Sequence, residues 1–177
     1  GDRQTSLRFV RALKNRFGPT DEVGCFEMTG AGIAEVPDPS ALFLGTGVPV
    51  SGTCVTVSME GKRALPVEVQ ALVIPSATPN PRRVVNGVDS SRVAMILAVL
   101  ERRARLALTK SDVYVSTVGG VKLTEPAADL AIALAIVSAA HDVPLRMRTV
   151  AFGELSLTGE VRRVSAGDQR RNEAKRL

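Results

Sequence analysis

The stretch Ala127-Ala128-Asp129-Leu130-Ala131-Ile132-Ala133-Leu134-Ala135-Ile136-Val137 constrains the fold of this 177-residue chain more than any other. Past Asp129 it offers no polar side chain, so as a helix it has no face for water. Such a helix has to be enclosed on most sides, and a β-sheet is the natural partner. Glu125-Pro126 opens it, with proline at the favoured first helical position, and it runs through Ala140. No apolar run approaches the ~20 residues of a membrane span, and no charged–apolar–small leader opens the chain, so a cytoplasmic protein without membrane contact is expected.

The sheet is sought on both sides of that helix. Thr53 to Met59 alternates as a strand, Glu60-Gly61-Lys62 turns, and valine-rich Ala64 to Ile74 returns as a hairpin partner. A loop with Pro75, Pro79 and Pro81 carries Arg82-Arg83. From Asp89 to Leu108 the apolar spacing of Val93, Ile96, Leu97 and Leu100 predicts a helix. Asp89 or Ser90 would cap it, with Arg102, Arg103 and Arg105 at its negative end. Asp112 to Thr117 reads as a strand and Val118 to Val121 as a loop. Val150 to Leu157, a Thr158-Gly159 turn and Glu160 to Val164 read as a second hairpin. Asp168 caps a final helix. Strands and helices mix without a strict βαβ repeat, so the class is α+β, or mixed α/β.

Upstream the texture changes. Leu7 to Phe17, with five interleaved basic residues from Arg3 to Arg16, reads as a short basic amphipathic helix or strand end closed by Gly18-Pro19. Residues 19–49 read as an extended linker with short strands, and a compact domain begins near Val50. Charge follows the same division: residues 1–18 carry net +4, residues 19–60 net −6 without a single Lys or Arg, and residues 61–177 net +7. Different surfaces with different partners are implied. Both ends look cut from something longer.

Several chemistries are excluded. Cys25 and Cys54 cannot build a tetrahedral metal site with one histidine, His141, and are expected as buried free thiols. His141 is placed to end the apolar helix, and any histidine-based triad would hang on it alone. No Gly-rich run leads into Lys-Ser or Lys-Thr, so there is no Walker A loop. Gly119-Gly120-Val121-Lys122 sets a lysine beside a turn. With Trp absent, one Tyr and five Phe, aromatic platforms for stacking bases are scarce.

Lys14-Asn15-Arg16-Phe17-Gly18 spells KNRFG. With Gly119-Gly120-Val121-Lys122 and Glu125-Pro126-Ala127-Ala128-Asp129-Leu130-Ala131, it makes essentially the whole chain resemble the RadA (Sms) family of bacterial DNA-repair proteins. The resemblance implies a zinc finger, a RecA-like ATPase domain and a C-terminal domain of Lon-protease-like fold (ribosomal protein S5 domain 2-like). Residues 1–18 would end the ATPase domain, and 50–177 would form most of the Lon-like domain. It implies a DNA-dependent ATPase that drives branch migration in recombinational repair. It also implies a hexameric ring, RecA as partner, ATP and Mg in the longer protein, zinc in its finger and no cofactor in this segment.

Lon-type proteases use a Ser–Lys dyad, the serine in a Gly-Pro-Ser-Ala-Gly motif. In register, Ala127 stands at the nucleophile and Asp168 at or near the lysine. A methyl group cannot attack a carbonyl and a carboxylate cannot act as the amine. The resemblance therefore implies a scaffold without peptidase activity, in which Lys14 and Arg16 reach the ATP of a neighbouring subunit. Arg82, Arg83, Arg92, Lys110 and Lys122 are candidate ligands for phosphates of single-stranded or branched DNA, independent of sequence, with Arg162-Arg163 and Arg170-Arg171 as a C-terminal patch. Two alternatives are an active Ser–Lys peptidase and a basic protein-interaction module without DNA binding.

Overall fold

The computed structural model describes residues 49–146 and 149–176, together with the backbone of three short upstream strands. Those strands, β1 (Gln4–Ser6), β2 (Cys25–Thr29) and β3 (Gly32–Ala34), pair antiparallel in chain order. The expected basic helix at 7–17, Lys14 and Arg16, and the Cys25 side chain lie outside the described residues.

The main sheet starts with the long hairpin of β4 (Thr53–Glu60) and β5 (Arg63–Pro75), registered from Thr53 opposite Gln70 to Glu60 opposite Arg63. Its tight reversal passes through Gly61, at φ +65°. The second half of β5 pairs antiparallel with β7 (Ser111–Thr117), and β7 pairs parallel with β6 (Arg83–Asn86). The order is β4-β5-β7-β6. Helix α1 (Ser90–Arg103) joins the two parallel strands, so one βαβ unit is built into an otherwise antiparallel sheet. Arg83, expected on a proline-bounded loop, instead opens strand β6. Four residues with two adjacent valines give little periodicity of their own, and pairing with β7 supplies the strand.

One face of this sheet is the core. Val67 and Val69 of β5 and Val113 and Val115 of β7 pack with Val93, Ile96, Leu97 and Leu100 of α1 and with the whole of the apolar helix, α2 (Asp129–His141). Every residue from Asp129 to Ile136 is buried, and Ala131, Ala135 and Ile136 are fully so. The enclosure demanded by the sequence is met by β5 and α1 together. A one-turn 3₁₀ segment, Pro126–Ala128, leads into α2. At its far end His141 lies in the last turn and Asp142 reverses the chain in the left-handed region, at φ 52°. The Ser138 hydroxyl accepts the Gly52 N–H at 2.8 Å and donates to the Val143 carbonyl at 2.6 Å, tying that end to the start of β4. Only glycine fits position 52: φ is +85°, and a Cβ would stand 2.2 Å from the Ala71 carbonyl oxygen.

Three expectations need correction. Helix α1 stops at Arg103 rather than Leu108: Arg105 turns left-handed at φ 56° and the Leu106 N–H returns to the Leu100 carbonyl, so Leu106 and Leu108 fold back into the core. The second hairpin is shorter than read, only β8 (Glu154–Leu155) against β9 (Val161–Arg162), because Val150 bridges to Val55 of β4 instead. Asp168 does not cap the last helix, α3 (Gly167–Lys175). Ala166 holds the cap position at φ 58°, and Asp168 pairs with Arg171 inside the first turn.

Helix α3 closes a smaller core in which Ala174 meets Val55, Val57, Val150 and Phe152. Beside it, Glu173 is buried, with Arg176 at 3.8 Å. Burial pushes the Glu173 carboxyl up to about 7, against the pull of Arg176 and Arg63. Between the ordinary 4.5 and about 7 the folded chain therefore holds a proton that the unfolded chain releases. Stability falls as pH rises through that window and levels off above it. Urea unfolding across the window should show this slope, and Glu173→Gln should flatten it; a variant with the wild-type slope would assign the effect to another group.

Candidate functional site

The turn from Glu125 to Asp129 is the part of the chain that the Lon comparison marks, and it is tied to the rest of the domain by hydrogen bonds and two ion pairs. Ala127 and Ala128 are buried. The Ala127 carbonyl accepts the Gly153 N–H at 2.8 Å, and the Leu130 N–H donates to the Gly153 carbonyl at 3.1 Å. The turn is thus clipped to the segment leading into β8.

A carboxylate stands on each side. Glu125 accepts two hydrogen bonds from Arg170, at 2.7 Å from Nη1 and 3.0 Å from Nη2, and a third from the Met59 N–H at 3.0 Å. Arg170 is completely buried. It also donates to the Val57 carbonyl at 2.7 Å and, through Nε, to the Ser165 carbonyl at 2.9 Å, so its guanidinium is satisfied on every side described. Burial pushes the Glu125 carboxyl up, but the bonds from Arg170 and Met59 outweigh it and leave it below the ordinary range. On the other side, Asp129 accepts from Nε of Arg92 at 3.2 Å, from its Nη2, and from the Leu155 N–H at 3.0 Å. There burial wins over these partners, and the Asp129 carboxyl lies above its ordinary value.

The two ion pairs hold the turn in place from either side. Ala127, on which the Lon register expected from the sequence puts the nucleophile, is a buried methyl, and Asp168 is exposed and paired with Arg171. The two segments aligned with the dyad do adjoin, but through Glu125 and Arg170, two residues to either side of those positions. The other nucleophile candidates are no better. Cys54 is buried, and burial together with Glu68 pushes its thiol far up. Among the described residues no group of three His, Cys, Asp or Glu side chains converges as a metal site requires. No described helix is long and apolar enough to cross a membrane.

The candidate phosphate ligands separate into two sets. Arg82, Lys110 and Lys122 are exposed. Arg82 and Lys110 meet at one end of β6 and β7: the Arg82 N–H donates to Asp112 at 2.7 Å, and the Lys110 carbonyl accepts the Ser76 N–H at 2.9 Å. Lys122 follows the opposite end of β7. Arg83 is exposed as well, but its guanidinium also staples its own loop, donating to the carbonyls of Leu108 at 3.1 Å and of Ser111. Arg92 is engaged by Asp129. In the C-terminal patch Arg162 and Arg163 are exposed, whereas Arg170 is interior. Sequence offered no means of telling these arginines apart, because their partners lie 25 to 113 residues away. The pairing of Arg170 with Glu125 was missed for that reason.

Breaking a buried pair from one side strands a charge, at a cost of about 3–5 kcal/mol, while replacing both partners by apolar groups is often nearly neutral. Arg170→Met should lower the unfolding free energy by about that amount, and Arg170→Met with Glu125→Leu should recover most of it, as read by urea denaturation.

A family model described as subunit ChlI of Mg-chelatase matches residues 90–173, from the start of α1 into α3. Curated relatives match the entire chain. It is 55% identical over 178 residues to DNA repair protein RadA of Mycolicibacterium smegmatis, covering 100% of this chain and 38% of that protein. The protein of the same name from Mycobacterium tuberculosis H37Rv is 51% identical over 99% of the chain and 37% of its own length. For that of Bacillus subtilis the values are 48%, 100% and 39%. The chain thus spans less than two fifths of the length of these relatives, and such identity along all of it makes it a member of the RadA family.

Proposed function

We propose that this chain serves DNA repair as a non-hydrolytic platform that holds DNA beside an ATP-driven motor. The observation that carries the reading is the turn at the start of α2: a buried methyl where a Lon-type protease presents its serine, flanked by two carboxylate–arginine pairs that fix it in place. The fold is that of a Lon-like domain kept without its chemistry. The names of its relatives supply the repair context.

In the longer protein, the ATPase domain with ATP and Mg drives branch migration, and zinc sits in the finger. Six copies form a ring in which Lys14 and Arg16 of KNRFG reach the ATP of the neighbouring subunit, and RecA is the recombinase partner. Within this chain, Arg82, Lys110 and Lys122 carry the phosphate contacts, since their charges are exposed while those of Arg83 and Arg92 are engaged by protein groups. Such contacts ignore base sequence and release counterions.

Fluorescence anisotropy with a labelled single strand and a labelled branched DNA tests this. Affinity should fall steeply with salt, and replacing Arg82, Lys110 and Lys122 together by alanine should reduce the slope of log K against log salt by about 2–3. Binding that is undetectable at low salt would remove the DNA platform. Ala127→Ser should cleave no unfolded protein substrate, because Asp168 supplies no amine; cleavage would show that the scaffold retains peptidase chemistry.

A further inference from the structure

The face of the main sheet turned away from α1 and α2 is unlike the rest of the surface. Leu72 of β5, Tyr114 of β7 and Val84 of β6 stand in register as one cross-strand row, with Gln70, Ser116 and Asn86 as the next. With Val50 at its rim, this face forms a groove of about 360 Å³ in which no lining residue is charged. Val50 is 57% exposed, Leu72 56% and Val84 42%, so no described residue lies over the row. Contiguous exposed apolar surface of this kind marks a contact with polypeptide. It is the wrong surface for a polyphosphate, which needs cations where it lies.

The path of the chain identifies the occupant. Strand β1 lies against β5, and the chain leaves the upstream sheet at Ala34, the end of β3. It enters the described domain at Pro49-Val50, on the rim of the groove. Residues 35–48, which lie outside the described residues, therefore join two parts that both stand beside this sheet. Their composition suits it. No charged side chain occurs from Pro39 to Met59, and Ala41-Leu42-Phe43-Leu44 is the longest apolar run upstream of Val50. Leu44 stands six residues before Val50, a reach of up to ~20 Å. The row from Leu72 to Val84 crosses only two strand spacings, about 10 Å. A short tether of this kind gives an effective concentration in the millimolar range, which a free partner rarely matches. We propose that the groove seats the chain's own residues 41–48, with Leu42, Phe43 and Leu44 packed over Leu72, Tyr114 and Val84. Uncharged segment then meets uncharged groove, and residues 1–34 ride with the sheet instead of swinging on a loose tether. The proposal goes beyond the DNA-platform reading and does not rest on it.

Two reciprocal measurements on the whole chain are the test. Tyr114 is the single tyrosine and tryptophan is absent, so intrinsic fluorescence reports on the groove. Replacing Leu42, Phe43 and Leu44 together by serine should raise acrylamide quenching of Tyr114 several-fold, with an unchanged circular dichroism spectrum. In the other direction, Leu72→Lys should release the segment and speed chymotrypsin cleavage after Phe43 by about 10-fold. Val84→Lys, on a different strand, should do the same, so the outcome does not hang on one variant. Both effects should be independent of protein concentration, because the contact lies within one chain. Quenching that the three serines leave unchanged, or cleavage that both lysines leave unchanged, would overturn the proposal. Shielding of Tyr114 that grows with protein concentration would overturn it too, by giving the groove to a second copy. Failure of the DNA reading would instead appear only in the anisotropy titration.

Discussion

Burying a helix on all sides means burying its start as well, and at the start of α2 four backbone N–H groups and a partial positive charge arrive in a low-dielectric interior. Asp129, in the first turn, answers that field, but its own charge then has to be compensated, which Arg92 does from α1 and the Leu155 N–H from β8. Glu125 repeats the arrangement one turn earlier with Arg170 from α3. Each arginine comes from a different helix, so the demand for compensation at one turn decides where α1, α3 and the β8 strand can sit. The apolar body of α2 drives burial without direction, and the two ion pairs give it orientation.

That division of labour explains what was legible in the sequence. The α2 helix, the β4–β5 hairpin and β7 announce themselves through periodicity, because each buries a whole stripe or face, and the N-cap at Asp89 is used as expected, accepting the Ser91 N–H at 3.0 Å. Features that depend on a distant partner were not legible. β6 is a strand only because β7 lies beside it, and Val150 joins β4 rather than extending β8. The early end of α1 is a balance that propensity does not resolve: helical character continues through Ala104 and Arg105, but Leu106 and Leu108 gain more by folding into the core.

The candidate site divides along the same line. Likeness to the Lon motif singled out the turn at Ala127 from residue identity alone. The ion pairs that flank it were hidden. Both glycines of the Gly-Pro-Ser-Ala-Gly pattern are carboxylates here, at positions 125 and 129, and as isolated residues Arg92 and Arg170 look no different from Arg82. Burial separates them: Arg170 is inaccessible and fully hydrogen bonded, whereas Arg82 projects from a sheet edge. In a chain this basic, composition overstates the charge available to a partner, because part of it is already neutralised inside.

Once the internal pairs are removed from consideration, the surface resolves into two kinds. Arg82, Lys110 and Lys122 lie at the ends of β6 and β7, where a phosphate backbone can be met without burying anything. The middle of the same sheet face, between Val50 and Val84, carries no charge at all. A polyanion held at the strand ends gains nothing from the apolar row, and an apolar partner on the row gains nothing from the lysines.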